Sequence, residues 1–193
     1  MLQLDPDTTG LRPRLVIENQ SIGDHCGIVA ALQVGFHHTI RCIDQAAEGT
    51  CVIYALGLRD QFPCLCAELE FPGTKQVAKF VKWLLDEERL TETDDAPQGA
   101  LVLYFDGETW THAGVALGMQ RIRSKWGNYA VFDHALREVP ADYGNVVGFY
   151  SMPDIAHAAE LLFQFVRLEL GANHPIEIER LRKITCVPDP DSA

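Results

Sequence analysis

The clearest hydrophobic pattern in the chain lies within residues 109–127, where alternating residue types predict a β-hairpin. Residues 112–117 alternate small and β-branched types, and residues 121–126 alternate again. The intervening Gly118-Met119-Gln120 can form the turn. Two antiparallel strands are therefore predicted, with His112 at the open end of a largely apolar ribbon.

The turn also predicts which side chains face each other across the hairpin. If Leu117 faces Gln120, then His112 lies opposite Lys125 and within diagonal reach of Ser124 and Trp126. A histidine held in this way could act as a base, or it could simply cap the strand through local hydrogen bonds. The hairpin alone leaves both interpretations open.

The other periodic segments predict a mixture of helices and strands. Residues 74–90 and 154–170 carry apolar side chains at helical spacing, whereas residues 100–105 and 146–150 are short apolar runs typical of buried strands. The apolar run within residues 26–34 fits a helix or a strand equally well. We expect one α+β domain over residues 1–193, with flexible ends at residues 1–14 and 187–193.

A short apolar segment after Gly49-Thr50 places Cys51 at a predicted helix start. Thr50 is suited to the N-cap and Gly57 to the end of this helix. Unpaired N–H groups and the helix dipole favour a thiolate in the first turn, which a nucleophilic cysteine requires. The alternative is that Cys51 is one more small buried residue.

Composition and charge narrow the range of partners. The chain of 193 residues has 16 Lys and Arg against 27 Asp and Glu, a net charge of −11, which disfavours nucleic acid and anionic membrane surfaces. No apolar run approaches the roughly 20 residues of a spanning helix, and residues 1–14 lack the features of a signal peptide. We therefore expect a cytoplasmic location.

The six cysteines match no zinc spacing, and in a chain with this many core residues we expect reduced thiols. A loose metal-binding cluster is the alternative, formed by His25, Cys26, His37, His38 and Cys42.

Three motifs carry a resemblance to a known superfamily: GTCVIYALGL, GALVLYFDGETWTHAGVALG, and SKWGNYAVFDH followed by VPADYG. Together, over roughly residues 49–150, they resemble a group of bacterial proteins of uncertain function, which look like distant relatives of the NlpC/P60 and CHAP cysteine peptidases. The resemblance implies a papain-like fold in which a helix carrying the cysteine packs on an antiparallel sheet carrying the histidine. Thr50 departs from the NlpC/P60 pattern, which usually has Asp before the cysteine.

The resemblance also implies roles for individual residues. Cys51 would be the nucleophile and His112 the general base, while either Ser124 or His134 would orient the imidazole. The Cys51 main-chain N–H is the first candidate for an oxyanion donor, with Gln45 as a further one. Lys125 and Trp126 would lie beside the substrate, and no metal or cofactor is implied.

Two functions follow from these residues. The first is a cysteine hydrolase, a peptidase or amidase, that acts on a peptide or amide substrate through an acyl-enzyme. The second is a catalytically silent papain-like scaffold that serves as a binding, immunity or regulatory protein with a protein partner.

Overall fold

The computed structural model describes residues 1–20, 25–45, 49–61, 74–127 and 130–170. Several predicted features lie outside these ranges, namely Cys64, Cys66, Cys186, most of the loop predicted at residues 61–73, the short element predicted at 176–184 and the tail at 187–193. The side chain of His25 also lies outside the described part.

An antiparallel sheet forms the centre of the described structure, and the predicted α+β class is confirmed. Its eight strands run in the order β1-β8-β4-β5-β6-β7-β2, and β3 also pairs with β8. The strands are β1 Leu2–Gln3, β2 Arg41–Asp44, β3 Glu92–Thr93, β4 Leu101–Asp106, β5 Thr109–Gly118, β6 Arg121–Trp126, β7 Ala130–Ala135 and β8 Val146–Tyr150.

The helices pack on both faces of this sheet. They are α1 Leu11–Asn19, α2 His25–Ala31, α3 Cys51–Ala55, α4 Leu58–Gln61, α5 Thr74–Asp86 and α6 Ile155–Leu170, with 3₁₀ turns at Leu32–Val34 and Ala141–Tyr143. None of the helices in the described part is long and apolar enough to span a membrane.

Alternating side chains of β4 explain why there are two hydrophobic cores. Leu101 and Leu103 pack with α3, α5 and α6 on one face, whereas Val102 and Tyr104 pack with α1 and α2 on the other. A strand buried on both faces appears as a continuous apolar run, which is the pattern of residues 100–105. Phe80 and Leu162 are fully buried within the first core, so the two amphipathic helices lie where their periodicity predicted.

The hairpin forms as predicted, but its predicted register is wrong by one residue. Met119 and Gln120 both have positive φ, 49° and 59°, and they form the two-residue turn between Gly118 and Arg121. A bulge at Leu117 then shifts the pairing, so that Ser124 lies opposite Gly114. A one-residue shift moves every side chain to the other face of the sheet, and this register puts Ser124 on the same face as His112.

The first 14 residues, which we expected to form a flexible end, contain β1 and the start of α1. Leu4 and Leu11 are buried in the second core. Arg12 is also buried, and its guanidinium donates hydrogen bonds to the main-chain oxygens of Val139 and Gly144. This segment is therefore an integral part of the fold.

A disulfide joins Cys26 of α2 to Cys42 of β2, with their Cα atoms 5.3 Å apart. The expectation of reduced thiols is therefore wrong for this pair, and Cys51 is the free cysteine of the described residues. Disulfides persist mainly in oxidising compartments. The expected cytoplasmic location stays a prediction.

Candidate active site

Cys51 is the first residue of α3, as the sequence predicted. Thr50 before it is extended (φ −84°, ψ 164°), and Gly57 follows the helix with a left-handed φ of 66°. The helix packs on β5 and β6. Because the first N–H groups of a helix have no intrahelical partner, the main-chain N–H of Val52 is available to the Cys51 sulfur, as is that of Ala113 on β5.

Burial dominates the ionisation of the Cys51 thiol. It raises the pKa to about 11, while main-chain N–H groups of Ala113 and Val52 and the positive charge of Lys125 act in the opposite direction. The helix start was expected to favour a thiolate, but in the free protein burial outweighs it, and the thiol is neutral near pH 7. Part of the Cys51 residue is exposed to solvent, but its sulfur atom is buried.

His112 lies on β5 directly after a second bulge. Tyr104 pairs with His112 and Phe105 pairs with Trp110, so Thr111 is the extra residue. The Thr111 hydroxyl fixes this bulge by sharing its one hydrogen between the main-chain oxygens of Tyr104 (3.0 Å) and Tyr143 (2.5 Å). The bulge sets the position of the histidine that follows it.

The imidazole of His112 is buried between aromatic rings. Its side chain is 1% exposed, and it stacks on Tyr143 with ring centroids 3.8 Å apart and an angle of 12°. Tyr104 contributes a tilted ring at 5.7 Å. Among the described residues, the Nε2 atom of His112 has no hydrogen-bond partner.

Burial also lowers the pKa of His112 well below its ordinary value, with further contributions from His134 and from the charge of Lys125. The imidazole is therefore neutral at neutral pH. A neutral imidazole can accept a proton, as a general base must.

Cys51 and His112 line the same cleft, which has a volume of about 200 Å³. Lys125 also lines it and is fully buried, with its Nζ donating to Gly127 O at 3.0 Å. The complete lining consists of Thr50, Cys51, Val77, Trp110, Thr111, His112, Lys125, Gly127 and Tyr143.

Comparison with known proteins identifies the family of this region. Residues 45–151, more than half of the chain, match the model of a domain of unknown function, DUF7689. The chain belongs to this family. No curated protein and no solved structure matches the chain.

Three other predicted residues of the DUF7689 domain, Ser124, Trp126 and His134, form a separate buried network. His134 Nδ1 lies 2.9 Å from Ala135 O, so it carries the proton, and Nε2 accepts from the Ser124 hydroxyl at 2.7 Å. Trp126 Nε1 donates to the same hydroxyl oxygen at 2.9 Å. Burial lowers the pKa of His134 to about 4, so this histidine is neutral as well. Ser124, Trp126 and His134 lie beside the cleft rather than in its lining.

Gln45 lies just after β2, at the opposite edge of the sheet from β1, and its side chain is exposed. It is not part of the cleft lining within the described residues.

The alternative metal cluster does not assemble in the described part of the chain, where no three His, Cys, Asp or Glu side chains are grouped as metal ligands. Cys26 and Cys42 bond to each other, and both nitrogens of His38 are close to main-chain groups of Val29 and Ile40.

Trp110, Thr111 and Tyr143 line the DUF7689 cleft, although no site role was predicted for them from the sequence. Tyr143 belongs to a motif that carries the resemblance, but no spacing in the sequence places it against His112. Trp110 and Thr111 precede His112 directly, and only the bulge brings both to the cleft wall.

Proposed function

We propose that this DUF7689 protein is a cysteine hydrolase that cleaves amide or peptide bonds through an acyl-enzyme at Cys51. One observation carries the proposal: Cys51 at a helix start and His112, whose buried Nε2 has no hydrogen-bond partner in the described part of the chain, line one cleft. The arrangement of a cysteine helix packed on an antiparallel sheet with the histidine supports the resemblance to papain-like enzymes.

The proposed reaction begins with a neutral pair. His112 takes the thiol proton as the Cys51 sulfur forms a bond to the substrate carbonyl carbon. The carbon–nitrogen bond then breaks, and the imidazolium returns the proton to the leaving amine. Water attacks the thioester with His112 again as base, which releases a carboxylic acid and restores the thiol.

The tetrahedral intermediate requires donors for its oxyanion. The Cys51 main-chain N–H lies in the first turn of α3, where helical N–H groups lack intrahelical partners. Trp110 supplies a second candidate, since its buried Nε1 has no hydrogen-bond partner among the described residues. Loss of one such donor typically costs about 3 kcal/mol of transition-state stabilisation.

The third catalytic role, orientation of the imidazole, stays with Ser124 or His134. Ser124 lies on the same face of the sheet as His112, and its hydroxyl oxygen already accepts from Trp126. Both nitrogens of His134 are engaged, so His134 would act on His112 through Ser124.

Steady-state assays of purified protein test this proposal. Hydrolysis of p-nitrophenyl acetate and of a panel of fluorogenic peptide amides is measured for the wild type, Cys51→Ala and His112→Asn. We expect both variants to lose at least about 100-fold in kcat/KM. Trp110→Phe keeps the ring and removes the N–H, and it should lose about 100-fold. Activity that survives Cys51→Ala would refute the proposal.

One observation favours the second function, a silent scaffold. A buried neutral thiol with a pKa of about 11 is typical of a structural cysteine. In that case no substrate would acylate Cys51, and Cys51→Ala would leave every ligand-binding property of the protein unchanged.

A further inference from the structure

Tyr143 is held against His112 from several directions. Its ring stacks on the imidazole at 3.8 Å, and its hydroxyl accepts hydrogen bonds from Asn19 Nδ2 at 3.0 Å and from Gly127 N at 3.1 Å. Its main-chain oxygen accepts from Thr111, the bulge residue just before His112. A ring restrained at both ends leaves the imidazole little room to rotate.

The loop that carries Tyr143 is anchored to α1. Arg12 donates from Nε to Val139 O at 3.1 Å and from Nη2 to Gly144 O, so one buried guanidinium holds the chain on both sides of Tyr143. Asn19 is the last residue of the same helix. Helix α1 therefore makes contact with this loop at both of its ends.

Helix α1 lies outside the residues that match the DUF7689 model, which begin at residue 45. Nothing in the family match would include it in the site. Asn19 of this helix nevertheless contacts Tyr143, and the Tyr143 ring stacks directly on His112.

We propose that Asn19 is a positioning residue that acts through Tyr143 to hold the His112 imidazole in place. The proposal deepens the proposed function, because it identifies α1 as a part of the hydrolase site. The stacked Tyr143 ring fixes the plane of the base and covers one of its faces from water.

Three other residues also act on His112, and a test of Asn19 must not change them. Lys125 and His134 both influence its ionisation, and Tyr104 covers part of the ring. The variants below leave these three residues unchanged.

A double-mutant cycle on the full chain tests whether Asn19 acts through the Tyr143 hydroxyl. We expect Asn19→Ala to lower kcat/KM about fivefold, the effect of one hydrogen bond, and Tyr143→Phe, which also removes the bond from Gly127 N, to lower it at least as much. Because Tyr143→Phe already removes the Asn19 contact, the double variant should lose no more than Tyr143→Phe alone. Ile17→Ala, at an exposed position of α1, is the control and should retain wild-type activity. Independent losses that multiply in the double variant would overturn the proposal.

An NMR titration of His112 separates this proposal from the proposed function, since it needs no activity. The His112 ring signal is assigned with His112→Asn and followed against pH. In Tyr143→Ala the ring becomes hydrated, and its pKa should rise toward the ordinary value of 6.5, while Tyr143→Phe stays close to the wild type. An unchanged titration in Tyr143→Ala would refute positioning even if hydrolysis is confirmed. Absent hydrolysis with a shifted titration would refute only the proposed function.

Discussion

At the scale of single residues, the candidate site combines a neutral thiol with a neutral imidazole. Burial raises the pKa of Cys51 to about 11 and lowers that of His112, so the free protein does not hold a thiolate–imidazolium pair. Proton transfer must then accompany attack on the substrate, which makes His112 a general base in the strict sense.

The pH dependence of the reaction follows from the neutral state of the His112 imidazole. His112 must be unprotonated to act as the base, and its pKa lies well below 6.5. We therefore expect kcat/KM to stay constant as the pH falls through 6.5 and to decline only at a clearly lower pH. Stopped-flow assays with p-nitrophenyl acetate between pH 4 and 9 measure this profile. A decline centred at 6.5 would show that the imidazole is hydrated.

Lys125 affects the ionisation of both Cys51 and His112. Its charge lowers the pKa of Cys51 and also lowers that of His112, so it favours the thiolate and the neutral base. We expect Lys125→Met to raise both pKa values and to reduce kcat/KM at pH 7, because the thiol proton becomes harder to remove. Retained activity with unchanged titration of Cys51 would contradict this role.

At the scale of elements, the strands and helices with strong periodicity could be predicted, but the bulges could not. The hairpin, the strand at Val146–Tyr150 and the two amphipathic helices follow directly from residue spacing. Leu117 and Thr111 carry no sequence signal of a bulge, yet they set the hairpin register and the position of His112. The very short strands β1 and β3 have too few residues for any period to be recognised.

The loop that carries Tyr143 requires a glycine at position 144. Gly144 has a φ of 85°, and a Cβ atom there would overlap the carbonyl group of Phe105. We expect Gly144→Ala to lower the free energy of unfolding by about 3 kcal/mol or more, measured by urea denaturation. Gly107→Ala is the matched control, because Gly107 also has a positive φ, 59°, but its Cβ would meet nothing within 4 Å. Gly107→Ala should lower the free energy of unfolding by only about 1 kcal/mol. Equal losses for the two variants would contradict the close approach at Gly144.

At the scale of the whole molecule, the family match covers only part of what builds the site. The match spans residues 45–151 and includes Cys51, His112 and Tyr143. The anchoring residues Arg12 and Asn19 precede it, and sequence patterns could not connect them to the cleft because the contacts span more than 120 positions.

Two buried neutral histidines make the stability of the molecule depend on pH. The folded pKa of His134 is lowered to about 4, so between 6.5 and 4 the unfolded chain binds a proton that the folded chain does not. The contribution of the buried neutral His134 to the free energy of unfolding is therefore fully present above pH 6.5. It decreases as the pH falls toward 4. In urea titrations, the loss of unfolding free energy between pH 6.5 and 5 should be about 1.5 kcal/mol smaller in His134→Gln than in the wild type. His157→Gln, a change at an exposed position of α6, is the control and should behave as the wild type. An identical loss in His134→Gln would contradict the buried neutral state.

Acylation of Cys51 can be observed directly, and it tests whether Cys51 is a nucleophile activated by His112. The protein is mixed with p-nitrophenyl acetate at pH 7, quenched in acid within seconds and analysed by intact mass and peptide mapping. We expect one added acetyl group on Cys51 in the wild type, with acylation at least about 100-fold slower in His112→Asn. Equal acylation of the two proteins, or an acetyl group that is not on Cys51, would contradict a catalytic pair formed by this cysteine and this histidine.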